Sequence, residues 1–154
     1  MAKLEWSMGQ LTAKAEAYCA TSEHCIYDVR LKLQQWEATE EQTDTIIAHL
    51  QEEQYIDETR YCRSFAHDKL HYQGWGRLKI KMHLQAKHLP ANAIKDAVDA
   101  LDETTYNSIL THLIETKERS IKSKDTNAKA KVIRFCLQRG FLYEEIQEAM
   151  SQMQ

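Results

Sequence analysis

The strongest constraint on the fold of this 154-residue chain is a motif that occurs twice. The segment Asp57-Glu58-Thr59-Arg60-Tyr61 recurs 45 residues later as Asp102-Glu103-Thr104-Thr105-Tyr106. Aspartate is favoured at the N-cap of a helix, acidic residues are favoured in the first turn, and the tyrosine falls on the first buried face. Two helices therefore begin with the same device, which indicates an internal repeat.

Aligned apolar positions extend the repeat to three units of three helices each. Two aligned sets lie four residues apart in the second helix of each unit: Val29, Ile80 and Val132, then Leu33, Leu84 and Cys136. Two further sets lie in the third helix: Ile47, Val98 and Met150, then Leu50, Leu101 and Met153. The sequence therefore predicts an all-α fold of three tandem three-helix repeats, at residues 10–56, 57–101 and 102–154.

Apolar periodicity and capping residues predict nine helices. They cover residues 10–20, 22–35 and 39–53, then 57–72, 76–88 and 90–101, then 102–119, 127–139 and 142–152. Ser22 and Thr39 are the expected N-caps in the first unit, and Pro90 suits a first helical position. Gly140 suits a left-handed C-cap. Residues 120–126 form an inserted polar loop, which we expect to be mobile.

One segment also fits a strand, because residues 77–84 alternate between polar and apolar side chains. We favour a helix, since only one of these residues is β-branched and the repeat aligns them with two clearer helices. On a helix, Leu78 and Met82 form one apolar stripe and Ile80 and Leu84 form another on the opposite side. We therefore expect this helix to pack between neighbours.

The composition points to a cytoplasmic protein. No stretch reaches the length of apolar residues that spans a membrane, and the segment from Met1 to Trp6 lacks the apolar core of a signal peptide. The spacing of the four cysteines fits neither a disulfide framework nor a C-x-x-C motif. We interpret them as small, reduced core residues: Cys19, Cys25, Cys62 and Cys136.

The net charge of −3 conceals strong segregation of charge along the chain. Residues 1–58 carry a net −8, whereas residues 59–95 carry +7 and residues 117–139 carry +6. A partner responds to the local potential within about 10 Å, so these two basic tracts predict a binding surface for an anionic partner. The candidate residues are Arg60, Arg63, Lys69, Trp75, Arg77, Lys79, Lys81, Lys87, Lys129, Lys131 and Arg134. A solvated helix surface is the plainer interpretation.

Aromatic residues interrupt the middle basic tract, as they do in proteins that bind single-stranded nucleic acid. Tyr61 and Phe65 are four residues apart on the predicted buried face, so core packing is favoured for both. Trp75 stands in a turn flanked by glycines, and its spacing fits burial and exposure equally.

Catalytic motifs are not found in the sequence. It contains no P-loop, G-x-S-x-G, H-E-x-x-H or G-x-G-x-x-G, so we predict that the protein is not an enzyme and uses no cofactor. His67 and His71 are four residues apart and could face one metal ion. Cys19, His24 and Cys25 form a second cluster. Neither set has a further ligand at a telling spacing, and we predict no metal site.

The order of these features resembles the RecX regulatory protein family over about residues 11–153. The resemblance rests on residues 55–62 followed by Phe65, Asp68, Lys69, Trp75, Gly76, Lys79, Ile80, Leu84, Lys87 and Leu89. Tyr18, Cys19, Ser22, Asp28, Val29, Leu33 and Trp36 are similar to the first repeat of the family, and Lys131, Arg134, Gly140, Phe141 and Ile146 to its third. The chain departs from the pattern at residues 21–25, where basic residues are sparse, and at His88, where glycine is common.

The resemblance implies a curved array of three-helix modules that lies in the groove of a RecA filament on single-stranded DNA. It implies a binding protein, expected to be a monomer, that inhibits the recombinase and coprotease activities of RecA and so regulates DNA repair, recombination and the SOS response. Two alternatives stay open from the residues: a helical DNA-binding protein that acts without RecA, and a metal-dependent hydrolase that uses His67 and His71.

Overall fold

The computed structural model describes residues 5–154, and the start of the chain that bears on a signal peptide lies partly outside them. The described residues form nine α-helices and no strand. They are α1 (Met8–Thr21), α2 (Ile26–Gln35), α3 (Glu40–Glu52), α4 (Glu58–Gln73), α5 (Arg77–Ala86), α6 (Ala91–Asp99), α7 (Glu103–Ser120), α8 (Ala128–Gln138) and α9 (Tyr143–Gln152). The all-α prediction is confirmed, and no helix among residues 5–154 has the length and apolarity needed to cross a membrane.

Most of the predicted caps are present. The carboxylate of Asp57 accepts a hydrogen bond from the backbone N–H of Arg60 at 3.0 Å, and that of Asp102 accepts one from Thr105 at 2.9 Å. Thr39 caps α3 in the same way, through a capping box with Gln42. The repeated motif therefore begins α4 and α7 by one mechanism, because each aspartate satisfies a backbone donor that has no partner inside its helix.

Two capping predictions were wrong. Ser22 is not the N-cap of α2, because α1 continues through Thr21 with Ser22 as its C-cap, and α2 begins only at Ile26. Cys25 takes the N-cap position instead. Pro90 is the N-cap of α6 rather than its first helical residue.

The segment with alternating polarity is the helix α5, as predicted, but it is buried on one side only. Ile80 and Leu84 are fully buried against α4 and α6. Leu78 and Met82 are 43% and 58% exposed, so the expected packing between neighbours on both sides was wrong. The reason is that no helix among the described residues covers the outer face of α5.

The helices pack in three groups of three, but they form two cores rather than three. Helices α1–α3 enclose one core, which contains Leu11, Val29, Leu33, Ile46 and Leu50. Helices α4–α6 and α7–α9 share the other, which is continuous from Tyr61 in α4 to Ile146 in α9. The second-helix positions of all three units are buried as predicted, whereas Met150 and Met153 in the third unit are only partly buried.

The second helix of every unit ends in the same way. Glu37, His88 and Gly140 follow α2, α5 and α8 with φ of 59°, 60° and 94°, in the left-handed region. The next residue in each unit donates a backbone hydrogen bond back to Leu33, Leu84 or Cys136. This is the Schellman arrangement, in which glycine is preferred because it has no Cβ. His88, which departs from the family pattern, occupies this position, and the left-handed prediction for Gly140 is confirmed.

Three of the four cysteines are core residues, and Cys19 is only partly buried. Burial raises the pKa of the Cys25, Cys62 and Cys136 thiols to about 11. None of the four is in a disulfide.

Candidate partner-binding surface

The structure divides the eleven predicted binding residues by what each side chain already contacts. Some cations are held by carboxylates and carbonyls within the protein, some are exposed, and two lie over one aromatic ring. A cation that already has a partner must lose it to bind a phosphate, so these groups differ in their capacity to bind.

Arg60 and Lys87 connect the first unit to the second. Arg60 is ion-paired with Glu23 and also donates to the backbone carbonyls of residues 54 and 55. The ammonium of Lys87 donates to Asp28 at 3.0 Å and to the Tyr61 hydroxyl at 3.1 Å. Burial alone would lower the pKa of Lys87, but these two hydrogen bonds raise it above its ordinary value. Both side chains therefore hold the fold together.

Arg77 has the same role between the second and third units. Its guanidinium donates to the carbonyl of Val98 at 3.0 Å and to Glu103 at 2.7 Å, and it stacks over the ring of Tyr106 at 4.0 Å. A second ion pair joins it to Glu145. In the third unit, Lys131 is ion-paired with Asp125. Neither cation is available without loss of these contacts.

Four of the predicted cations are exposed and have no hydrogen bond or ion pair within the part of the chain that the structure describes. These are Arg63 in α4, Lys81 in α5, and Lys129 and Arg134 in α8. Such side chains reach into solvent and contribute to a positive potential, although the carboxylate of Asp99 lies near Lys81.

The remaining three predicted residues form a cluster around one indole. The ammonium groups of Lys69 and Lys79 lie 4.8 Å and 4.5 Å from the centroid of the Trp75 ring. Its spacing in the sequence fitted burial and exposure equally, and the structure shows that Trp75 is half-buried. Phe65 packs edge-on against the indole at 6.3 Å, and the ring of His83 lies 4.5 Å from it. We call these five residues the Trp75 cluster.

The Trp75 cluster carries an excess of positive charge. Neither Lys69 nor Lys79 has an ion pair with a carboxylate among residues 5–154, although both lie over the same ring. Burial lowers the pKa of His83, and the neighbouring Lys79, Lys69 and Lys87 lower it further. Both ammonium groups are attracted to the indole, so two like charges stand at one ring. An anion bound next to that ring would be attracted to both of them.

His83 was missed as a functional residue by the sequence analysis, although a signal was present. One stripe along α5 and its C-cap begins next to Trp75. It contains three basic residues at a spacing of four: Lys79, His83 and Lys87. Phe65 was expected in the core and is partly buried against it, with the ammonium of Lys69 5.3 Å from its ring. Tyr61 is buried as predicted.

The two candidate metal clusters lack a complete ligand set. His67 and His71 stack with their ring centroids 3.9 Å apart. His24 stacks on Tyr18 and lies 3.6 Å from Asp28. No group of three or more suitable side chains converges among residues 5–154. The hydrolase alternative therefore has no supporting geometry in this part of the chain.

The fold and this surface define the class of protein. It is an all-helical protein built from three-helix domains, and two of its lysines lie over one aromatic ring without an ion pair among residues 5–154. Comparison with known families specifies it further. Residues 57–98 match the family model described as the second three-helix domain of RecX, and residues 105–150 match the third. Together they cover more than half of the chain, which belongs to the RecX family. This is a family of regulatory proteins, not of enzymes.

Individual relatives and solved structures agree with this assignment. The chain is 28% identical over 129 residues to a regulatory protein RecX of Vibrio parahaemolyticus, covering 84% of this chain and 82% of the relative. It is 25% identical over 150 residues to one of Herminiimonas arsenicoxydans, covering 97% and 95%. The crystal structure of RecX from Lactobacillus salivarius superposes with a TM-score of 0.84 at 20% identity, covering 94% of this chain and 95% of that one. This structural likeness concerns the fold.

Proposed function

We propose that this protein binds the RecA filament on single-stranded DNA and modulates RecA, with inhibition of its recombinase and coprotease activities as the expected outcome. The family assignment supports RecA as the partner, because the relatives are named as regulatory proteins RecX. This activity belongs to the regulation of DNA repair, recombination and the SOS response in the cytoplasm. The protein acts as a monomer, without a cofactor.

The observation that carries the proposal is the Trp75 cluster. Two lysines converge on one indole and neither is ion-paired with a carboxylate in the described structure. Basic side chains next to a partly exposed aromatic ring are the means by which proteins hold a single strand, through phosphate contacts and base stacking. The four exposed cations Arg63, Lys81, Lys129 and Arg134 extend the positive potential over the second and third units.

Modulation follows from differential affinity. A ligand changes the population of a filament state only as far as it binds that state more tightly than the others. A protein with several separate cationic positions gains most from a filament that presents its anionic groups at a fixed spacing. It gains less from a free strand, whose phosphates must first be ordered.

Co-sedimentation tests the proposal. The protein is mixed with RecA filaments formed on single-stranded DNA, with the bare strand and with RecA alone. We expect the largest retention on the complete filament. Equal retention on the bare strand would support the alternative of a DNA-binding protein that acts without RecA.

An activity assay supplies the functional test. Strand exchange by RecA and RecA-stimulated self-cleavage of a repressor substrate are measured with increasing amounts of the protein. We expect both to fall together, because both require the same filament. No change in either activity at saturating protein would refute a role in modulating RecA.

A further inference from the structure

The Trp75 cluster contains a titratable side chain that simple charge attraction does not need. His83 is exposed, and its ring centroid lies 4.5 Å from that of Trp75. It stands one turn after Lys79 on α5, while Lys69 approaches the same indole from α4. A histidine in this place changes its charge near neutral pH, whereas the two lysines do not.

We propose that Lys69, Lys79 and His83 form a site for one phosphodiester group of a single-stranded nucleic acid, and that His83 takes up a proton as the phosphate binds. The proposal rests on the proposed function, because it assigns the DNA component of the filament to this site. Beyond the proposed function, it names the group that is bound, the side chains that bind it, and the coupling of binding to the uptake of a proton.

In the free protein, the surroundings of His83 favour its neutral form. Although the side chain is exposed, partial desolvation lowers its pKa first, and the positive charges of Lys79 and Lys69 lower it further. Lys87 adds to this effect from the next turn of α5, although its own ammonium is held by Asp28. On α6, the carboxylate of Asp99 is close to Lys95, Arg77 and Lys81 and does not contribute to the shift of His83.

A bound phosphate reverses this balance. Its negative charge cancels the repulsion from Lys69 and Lys79, and a protonated imidazole donates a charge-assisted hydrogen bond to a phosphate oxygen. The pKa of His83 therefore rises on binding, and a proton is taken up wherever the pH lies between the free and bound values. Affinity must then increase as the pH falls.

The indole distinguishes a single strand from other anions. A base next to the bound phosphate can stack on the exposed part of Trp75, because the bases of a single strand are free to leave one another. In a duplex the bases are paired inside the helix, and an acidic peptide has no base at all. The cluster therefore combines a phosphate site with a stacking surface.

The test measures binding of a fluorescent oligothymidylate of about 20 nucleotides to the wild-type protein between about pH 8 and pH 6. Uptake of one proton predicts that affinity rises by up to about tenfold for each unit fall in pH. Calorimetry in two buffers with different ionisation enthalpies should show the same proton uptake. The His83→Gln variant should lose both the pH slope and the proton uptake.

His112→Gln is the matched control, because it removes an exposed histidine on α7 and should leave the slope unchanged. A pH-independent wild type, or a slope that persists in His83→Gln, would overturn the proposal. Polyglutamate that shows the same His83-dependent slope would assign the site to an acidic protein surface instead of a nucleic acid. A Lys69→Gln variant checks the site independently and should weaken oligothymidylate binding.

These outcomes are separable from those of the proposed function. If the protein sediments with RecA filaments but shows no His83-dependent slope on oligothymidylate, the proton-linked site is wrong and the function stands. If the slope is present but the filament retains no more protein than the bare strand does, the site stands and the RecA assignment fails.

Discussion

The two junctions between the three units are built from different interactions. The first and second units meet mainly through polar contacts: Asp28 with Lys87, Glu23 with Arg60, and the backbone N–H of Ile26 with Glu58. The buried side chain of Cys25 adds an apolar contact from the first unit to the core of the other two. The second and third units share one continuous apolar core. At their boundary the backbones are in direct contact, since the N–H of Gly76 donates to the carbonyl of Arg139 at 2.7 Å.

We infer that the second and third units behave as one body. The first unit is attached to it by polar contacts that water can replace. Polar contacts exchange with water at little net cost, whereas an apolar core does not. One oxygen of Glu23 is buried without a hydrogen-bond partner, which makes the first junction less complete still. The cations that we assign to binding have no ion pair among residues 5–154, and all of them lie in the second and third units. The first unit carries the acidic excess.

We expect the strongest loss of stability from Gly76→Ala, which adds a methyl group at the second junction. A Cβ on residue 76 would lie 2.5 Å from the backbone carbon and oxygen of Gly140, so Gly76→Ala must push two backbones apart. We expect a loss of about 3 kcal/mol in the free energy of unfolding, measured by urea denaturation. Gly9→Ala is the control, because nothing lies within 4 Å of its Cβ, and it should stabilise the protein by up to about 1 kcal/mol through helix propensity. A tolerated Gly76→Ala would show that the second junction is not closely packed.

A smaller effect is expected from Asp28→Asn at the first junction. The change weakens a charge-assisted hydrogen bond to Lys87, and we expect a loss of about 1 kcal/mol at neutral pH. Hydrogen exchange should then accelerate in α1–α3 and stay unchanged in α4–α9. Asp44→Asn, in an exposed ion pair with Arg30, should have almost no effect. Uniform acceleration across all nine helices would contradict the division into two bodies.

The Asp28 contribution also has a defined pH dependence. Burial alone would raise the pKa of Asp28, but the hydrogen bond and charge of Lys87 hold it below its ordinary value. A carboxyl group whose pKa is lowered by folding stabilises the protein above its unfolded pKa of about 3.9 and loses that contribution as the pH falls through the folded value. The difference between wild type and Asp28→Asn should therefore disappear in acid.

The smallest effect is expected at the residue that follows α5. His88 adopts φ of 60°, which is strained for a residue with a Cβ. Its ring packs against Tyr27 across the first junction, with the ring centroids 5.8 Å apart. His88→Gly removes the strain and the contact together, and we expect a net gain of about 0.5 kcal/mol in thermal unfolding experiments. The equivalent Gly140 cannot accept a side chain, because its Cβ would clash with the backbone of Lys79. A destabilised His88→Gly would show that the Tyr27 contact outweighs the strain.

Sequence periodicity was sufficient to predict the three-unit architecture, because each unit repeats the same buried positions and caps. It could not distinguish the two junctions, since Arg60 and Arg77 look alike in a basic tract and their carboxylate partners are more than 20 residues away in the chain. The same limit applies to binding: charge density selected eleven residues, but only tertiary contacts separate Lys87, held by Asp28, from Lys79, held by an aromatic ring.

We propose that the two lysines of the Trp75 cluster, which have no carboxylate partner among residues 5–154, bind the filament. The most direct test is the salt dependence of co-sedimentation with RecA filaments for the Lys69→Gln/Lys79→Gln double variant. If both lysines contact the same phosphate of a single strand, the slope of log affinity against log salt should fall by about 0.7, the value for one phosphate contact. The control is Lys122→Gln/Lys124→Gln, which removes the same charge from the polar loop between α7 and α8 and should leave the slope unchanged. A folded Lys69→Gln/Lys79→Gln protein with the wild-type slope would contradict the claim.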